Sequence, residues 1–181
     1  MSFEVIRSEI IYHGAVFDLR QDSLRLPGGG LMKIDIVEHR GAVTIIPVDA
    51  DGQIWFIRQY RHPVRANLLE LPAGVAELDE DPLSSAQREL REEIGMAAGN
   101  LQAIGKFFLA PGYSSEFMHV FLATDLHPAP LEADEDEYLE IEKISARQAV
   151  HLAETGGLID SKSLVAVFWA KPYLRRLGWL D

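Results

Sequence analysis

Between Asp81-Pro82 and Gly95 the sequence marks out a helix with both ends defined, and this helix carries three glutamates beside its apolar face. Asp is a favoured N-cap, and Pro suits the first helical position because the N–H it lacks would have no intrahelical partner there. Gly95 supplies the stop. At roughly 100° per residue, Leu83, Ala86, Leu90 and Ile94 fall on one stripe, which is predicted to face a core. Glu89, Glu92 and Glu93 occupy the adjoining arc, with Glu89 and Glu93 one turn apart. Like charges at that spacing repel, and carboxylates near a helix C-terminus meet the unfavourable end of the macrodipole. On an open surface each penalty is only about 0.3 kcal/mol, so taken alone the arc is compatible with a solvated acidic face on which Arg88 pairs with Glu92.

The segments around this helix read mainly as strands. Residues 3–39 contain short alternating runs, with Ser23-Leu24-Arg25-Leu26 and Lys33-Ile34-Asp35-Ile36-Val37 on either side of a Pro-Gly-Gly-Gly turn at 27–30. A small antiparallel sheet of this kind is marginal by itself and needs a surface to pack on. From Gly41 the pattern changes. Ala42–Val48 has the apolar continuity of a buried strand, and Ile54–Tyr60 reads as its hairpin partner across Asp51-Gly52. A segment at 68–74 precedes the helix, further strands are expected near 101–109 and 117–124, and one more follows the acidic stretch 132–137. Two helices, near 145–155 and 161–175, close the chain. The mixed order indicates an α+β fold. The expected organisation is an N-terminal β-sheet region over 1–40 and a main domain over 41–181.

Composition limits the chemistry. The 181 residues include 28 acidic and 17 basic side chains, a formal net charge of −11. Such a chain repels nucleic-acid backbones unless it gathers positive charge locally, whereas a bound divalent cation can invert the field for a small phosphorylated substrate. Without cysteine there are no disulfides, zinc–thiolate sites or thiol nucleophiles. The first residues are too charged for a signal peptide, and no run approaches the roughly 18 apolar residues of a membrane helix. A cytoplasmic protein with no membrane association is expected. The histidines show no metal-ligand spacing.

Gly74, Glu80, the Arg88-Glu89-Leu90-Arg91-Glu92-Glu93 run, Gly95 and Met96 together resemble the complete Nudix box. That box is Gly, five residues, Glu, seven residues, Arg-Glu, aliphatic, any, Glu-Glu, any, Gly, aliphatic, and every fixed letter is present. The resemblance implies the Nudix fold, mixed β-sheets sandwiched between helices, and hydrolysis of a diphosphate with Mg²⁺ as cofactor (Mn²⁺ being an alternative). Hard oxygen ligands on a rigid helix suit such a cation. By the same resemblance Glu89 and Glu93 are metal ligands with the carbonyl of Ala73, Glu92 contributes to catalysis, Arg88 orients the glutamates and Glu80 is structural.

Features outside the box resemble the ADP-ribose and nucleoside diphosphate sugar pyrophosphatase branch. They are Glu70-Leu71-Pro72-Ala73-Gly74 and Pro111, 15 residues past the box in Ala110-Pro111-Gly112-Tyr113-Ser114-Ser115-Glu116. The strands of 3–39 match the appended sheet by which that branch forms intertwined homodimers. This implies ADP-ribose as substrate, with AMP and ribose 5-phosphate as products. Within 132–137, Glu135 is the implied general base and Glu137 a further metal ligand. Arg58 and Arg61 are candidates for a phosphate or ribose, since a guanidinium binds phosphate in bidentate fashion. Glu116 is a candidate for a ribose hydroxyl, Glu70 for a substrate bond across the dimer, and Phe17 or Tyr12 for stacking on adenine. The alternatives are GDP-mannose or a broad range of NDP-sugars, a non-catalytic nucleotide-binding module, and RNA decapping, which the acidic balance disfavours.

Overall fold

A computed structural model describes the chain except residue 1, residue 78 and residues 133–137. It divides into two compact units, Met1–Gly41 with Phe108–Phe117, and Ala42–Phe107 with Met118–Asp181.

The first unit is built on an antiparallel meander of β1 (Glu4–His13), β2 (Asp18–Arg25) and β3 (Leu31–Glu38). Gly29, at φ +87°, lies in the turn between β2 and β3, where a left-handed backbone is needed. Ser114 bridges to Val37, so the 108–117 segment adds to this sheet's edge. The meander leaves Val5, Ile11, Tyr12, Leu31 and Met32 exposed.

The described residues of the second unit form two sheets. One has the order β7 (Ala73–Val75), β4 (Ala42–Pro47), β9 (Phe117–Pro128), β8 (Met96–Phe108), with β4 and β9 parallel. The other has the order β10 (Leu139–Ser145), β5 (Gln53–Arg61), β6 (Ala66–Glu70) and is antiparallel throughout. Among the described residues three helices complete it: α1 (Pro82–Glu93), α2 (Ala146–Thr155) and α3 (Ser161–Arg176). The period of two along the strands divides the core. Val43 and Ile45 on β4, with Phe121 and Ala123 on β9, pack with Ala86, Leu90 and Ile94 of α1 and its C-cap. Ile46, Val120 and Leu122 face the other way, towards Ala149, Val150, Ala166 and Val167 of α2 and α3. The sheets therefore lie between α1 and the α2–α3 pair, the expected α+β sandwich. Among the described residues no helix is long and apolar enough to cross a membrane.

The expected β4–β5 hairpin does not form. Val48, just past β4, makes an isolated bridge to Ile54, and the two strands belong to different sheets. Every residue of β4 is buried, as suits a central strand flanked by β7 and β9, so β5 is left to pair with β6 and β10. The 68–74 segment likewise divides between sheets at Leu71-Pro72, where proline lacks the donor needed to continue a ladder.

Candidate active site

The helix α1 begins where Asp81 Oδ1 accepts the N–H groups of Leu83 (3.0 Å) and Ser84 (3.2 Å). It ends as the chain turns left-handed at Gly95, φ +69°. Two i,i+4 rows are buried. Ala86, Leu90 and Ile94 enter the core, and Ser85, Glu89 and Glu93 form the row beside them. Leu83, expected on the core stripe, is 52% exposed. It shares the angular position of Leu90 and Ile94, but the first turn carries it away from the cluster that receives them. Glu89 and Glu93 are only 7% and 6% exposed, so they are not a solvated acidic face.

Arg88 organises the carboxylates. Its Nε and Nη2 donate to both oxygens of Glu80 (3.1 and 3.0 Å), and its Nη1 donates to Glu89 (2.7 Å) and Glu92 (2.8 Å). A further link, from Nη2 to the Val75 carbonyl, ties the fork to β7 (3.3 Å). Glu80 also accepts the Glu77 N–H (3.1 Å), which closes the loop ahead of the helix. The hydrogen bond from Arg88 holds the Glu80 carboxyl below its usual range, and the hydrogen bond to Glu80 raises the Arg88 guanidinium in turn.

Each residue of Glu70–Gly74 is fixed by a different partner. The Glu70 carboxylate, 1% exposed, accepts Nε (2.9 Å) and Nη2 (2.7 Å) of Arg61 and also Lys162. Leu71 N–H donates to Ser163 Oγ (2.7 Å), and the Pro72 carbonyl accepts Ile45 N–H (2.9 Å). Ala73 N–H donates to Glu93 Oε2 (2.9 Å). Gly74 lies against Glu89, whose carboxylate occupies the space a Cβ would need. The segment therefore ties the N-terminus of α3 to the acidic row of α1.

Burial would raise the Glu70 carboxyl, but hydrogen bonds from Arg61 and the charge of Lys162 outweigh it and hold it below the ordinary range. The Arg61 guanidinium is raised by its hydrogen bond to Glu70, with the charges of Asp160 and Glu93 adding to the effect. Of the α1 carboxylates, Glu93 is the one whose charge reaches Arg61.

A divalent cation such as Mg²⁺ takes hard oxygen donors. Glu89 and Glu93 offer hard oxygens one turn apart on a rigid helix, the chemistry such an ion prefers. Among the described residues no three His, Asp or Glu side chains gather closely enough to hold an ion unaided. Mg²⁺ commonly takes one or two carboxylates and completes its shell with water and substrate phosphate, so the set fits.

Residues 38–167 match the NUDIX domain. The chain belongs to the Nudix family. This Nudix protein is a hydrolase, and its relatives resemble it over most of their length. It is 37% identical to an ADP-ribose pyrophosphatase of Bacillus subtilis (strain 168), covering 91% of this chain and 90% of that protein. It is 36% identical to an ADP-ribose pyrophosphatase of Mycobacterium tuberculosis (strain ATCC 25618 / H37Rv), covering 99% and 92%. A crystal structure of an ADP compounds hydrolase superposes with a TM-score of 0.87 at 25% identity, covering 99% of this chain and 98% of that one.

The remaining candidates of the Nudix chain are distributed unevenly. Arg58 and Arg61, considered together from sequence, are three residues apart on β5 and so point to opposite faces. Arg61 joins Glu70, whereas Arg58 pairs with Glu142 of β10 (2.6 Å). Glu70, expected to meet substrate, is turned inward and holds Arg61. Glu116 belongs to the first unit, together with Tyr12 of β1 and Phe17 just before β2, and its backbone N–H donates to Ser114 Oγ (3.1 Å). Glu135 and Glu137 lie outside the described residues. On one side of that run, Leu131 N–H donates to the Arg91 carbonyl (3.0 Å) and Arg91 Nε to the Ala129 carbonyl (2.9 Å). On the other side, Leu139 pairs with Gln59 of β5. Sequence reasoning missed Asp160, Lys162 and Ser163. A signal was present, because Lys162 sits in the first turn of a helix, at the end of the macrodipole that repels cations.

Proposed function

We propose that this Nudix hydrolase cleaves the diphosphate of a nucleoside diphosphate sugar, foremost ADP-ribose, to AMP and ribose 5-phosphate, with Mg²⁺ as cofactor. The observation that carries the reading is the buried Glu89–Glu93 pair, with Glu89 held by Arg88 and Glu93 by the Ala73 N–H. The names of the two curated relatives support ADP-ribose within the class.

A divalent cation, when bound, neutralises phosphate charge and makes a water more acidic. Glu89, Glu93 and the Ala73 carbonyl are the groups to hold it, with Glu92 beside them. Arg88 keeps Glu89 and Glu92 in register, and the Ala73 N–H does the same for Glu93. Arg61 binds a phosphate or ribose oxygen of the substrate, and Glu70 acts through it. Glu135 takes the proton of the attacking water, with Glu137 as a further ligand, which the bonds of Leu131 and Leu139 to α1 and β5 support. Glu116 serves a ribose hydroxyl and Arg58 a second polar contact. The first unit is a dimerisation region. Its exposed Val5, Ile11, Tyr12, Leu31 and Met32 support an intertwined homodimer, to be checked by light scattering. The net charge of −11 supports a small substrate over nucleic acid.

The test is product formation from ADP-ribose, GDP-mannose, UDP-glucose, a diadenosine polyphosphate and capped RNA, with and without Mg²⁺. Metal-dependent release of AMP from ADP-ribose, above the others, is expected. Comparable rates on several NDP-sugars would widen the substrate class, and no turnover on any of them by folded protein would overturn the reading.

A further inference from the structure

We propose that Lys162, in the first turn of α3, is a positioning residue for this hydrolytic site: by sharing the Glu70 carboxylate with Arg61, it fixes the guanidinium that meets the substrate. The inference rests on the assignment of Arg61 to substrate made above.

Lys162 is 8% exposed, and its ammonium lies between Glu70 and Asp160 Oδ2 (3.1 Å). Asp160 is itself held as the cap of α3, accepting Ser163 N–H (3.0 Å). Two cations and two carboxylates therefore alternate in a charge-balanced row, Asp160–Lys162–Glu70–Arg61, that runs from the start of α3 to the end of β5. Glu70 Oε2 accepts from both Lys162 and Arg61 Nη2, while Oε1 accepts Arg61 Nε. With three donors on one carboxylate its plane is fixed, and the bidentate fork transfers that orientation to Arg61. Nε and Nη2 are thereby committed to Glu70, which leaves Nη1 for the substrate on a side chain 40% exposed.

Stability does not explain why a lysine stands there. Desolvating both charges is costly enough that an apolar pair of similar volume would often hold the fold as well. A cation in the first helical turn also opposes the macrodipole. What a lysine provides and an apolar residue cannot is a second anchor for Glu70. Ser163 makes the backbone attachment of this segment to α3 independently, through Leu71 N–H, so removing the lysine charge releases the carboxylate without detaching the strand.

The experiment is steady-state kinetics on ADP-ribose for the full-length wild type, Lys162→Met, Lys162→Gln, Lys162→Arg, Arg61→Ala and the Lys162→Met/Arg61→Ala pair, with a thermal melt for each. Lys162→Met is expected to raise KM about tenfold or more with a smaller change in kcat, the signature of a displaced binding group. Lys162→Arg restores most of that loss, and Lys162→Met adds little once Arg61 is gone. Lys162→Gln keeps a donor without the charge, shows an intermediate KM, and decides the matter if Lys162→Met does not fold. Loss of kcat at unchanged KM, or a full effect of Lys162→Met on top of Arg61→Ala, overturns the proposal. So does loss of the fold in both neutral variants, which would make Lys162 a structural residue. If Arg61→Ala raises KM and the lysine variants do not, only the role of Lys162 falls. If Arg61→Ala leaves KM unchanged, the assignment of Arg61 falls first and takes this proposal with it.

Discussion

A Cβ added to Gly74 would stand 2.0 Å from Oε1 of Glu89. The glycine is therefore required by the carboxylate it faces, since its own φ is not in the left-handed region. Glu89 Oε1 also receives Arg88 Nη1, so displacing it breaks the organised set. Gly74→Ala is predicted to fold with a melting temperature within a few degrees of wild type, because the clashing atoms are the tip of a flexible side chain. Turnover should fall on the order of 100-fold, the scale for losing one preorganised electrostatic contact. Calorimetry and kcat on the same sample separate the two effects; a large loss of stability with activity retained would contradict the relationship.

Glu93→Gln is the complementary change. The amide oxygen of glutamine can still accept the Ala73 N–H, so the packing of this buried position survives. What disappears is one negative charge from the pair one turn apart. Turnover is expected to drop by about 100-fold or more, and the Mg²⁺ concentration for half activation to rise. A folded Glu93→Gln enzyme with wild-type turnover would remove Glu93 from the metal site.

How far the sequence determined this outcome differs from element to element. The α1 helix and most strands were legible because their period, caps and turn residues act locally. The β4–β5 pairing was not, because an Asp-Gly turn indicates only that two strands are adjacent in the chain. Full burial of β4 was the better signal, since such a strand requires neighbours on both edges. Arg58 and Arg61 could have been separated by counting, because a spacing of three on a strand places them on opposite faces. Glu70 was harder to place. Besides Arg61 it is held by Lys162, 92 positions away, and nothing in the local pattern reports that contact. The Arg88 fork to Glu80 became visible only in three dimensions, although the fixed letters of the box already contained both residues.

Arg88 gives a third prediction. It uses all three guanidinium nitrogens on Glu80, Glu89, Glu92 and the Val75 carbonyl, and the single ammonium of lysine cannot reproduce that geometry. Arg88→Lys should lower unfolding stability by about 1–3 kcal/mol, less than for a fully buried pair because the side chain is 22% exposed. Its loss should also raise the metal concentration for half activation about 10- to 100-fold, as expected when a ligand loses the partner that orients it. Urea unfolding and a Mg²⁺ titration of activity measure the two effects. An unchanged titration would restrict Arg88 to holding the loop through Glu80.

The Glu70 carboxylate makes the stability of this fold depend on acid. Burial opposes its ionisation, yet the hydrogen bonds of Arg61 and the charge of Lys162 leave its pKa below the unfolded value. A carboxyl depressed on folding contributes stability that is complete above the unfolded pKa, about 4.3 for glutamate, and is lost as the pH falls through the folded value. Glutamine at position 70 carries no such proton linkage. The gap in unfolding free energy between wild type and Glu70→Gln should therefore be widest at neutral pH and narrow progressively below about pH 4. Denaturant unfolding of both proteins between neutral pH and about pH 3 gives this difference directly, with titrations shared by the two cancelling. A gap that stays constant, or widens towards acid, would mean that Glu70 is not ionised against Arg61 and Lys162 in the folded chain.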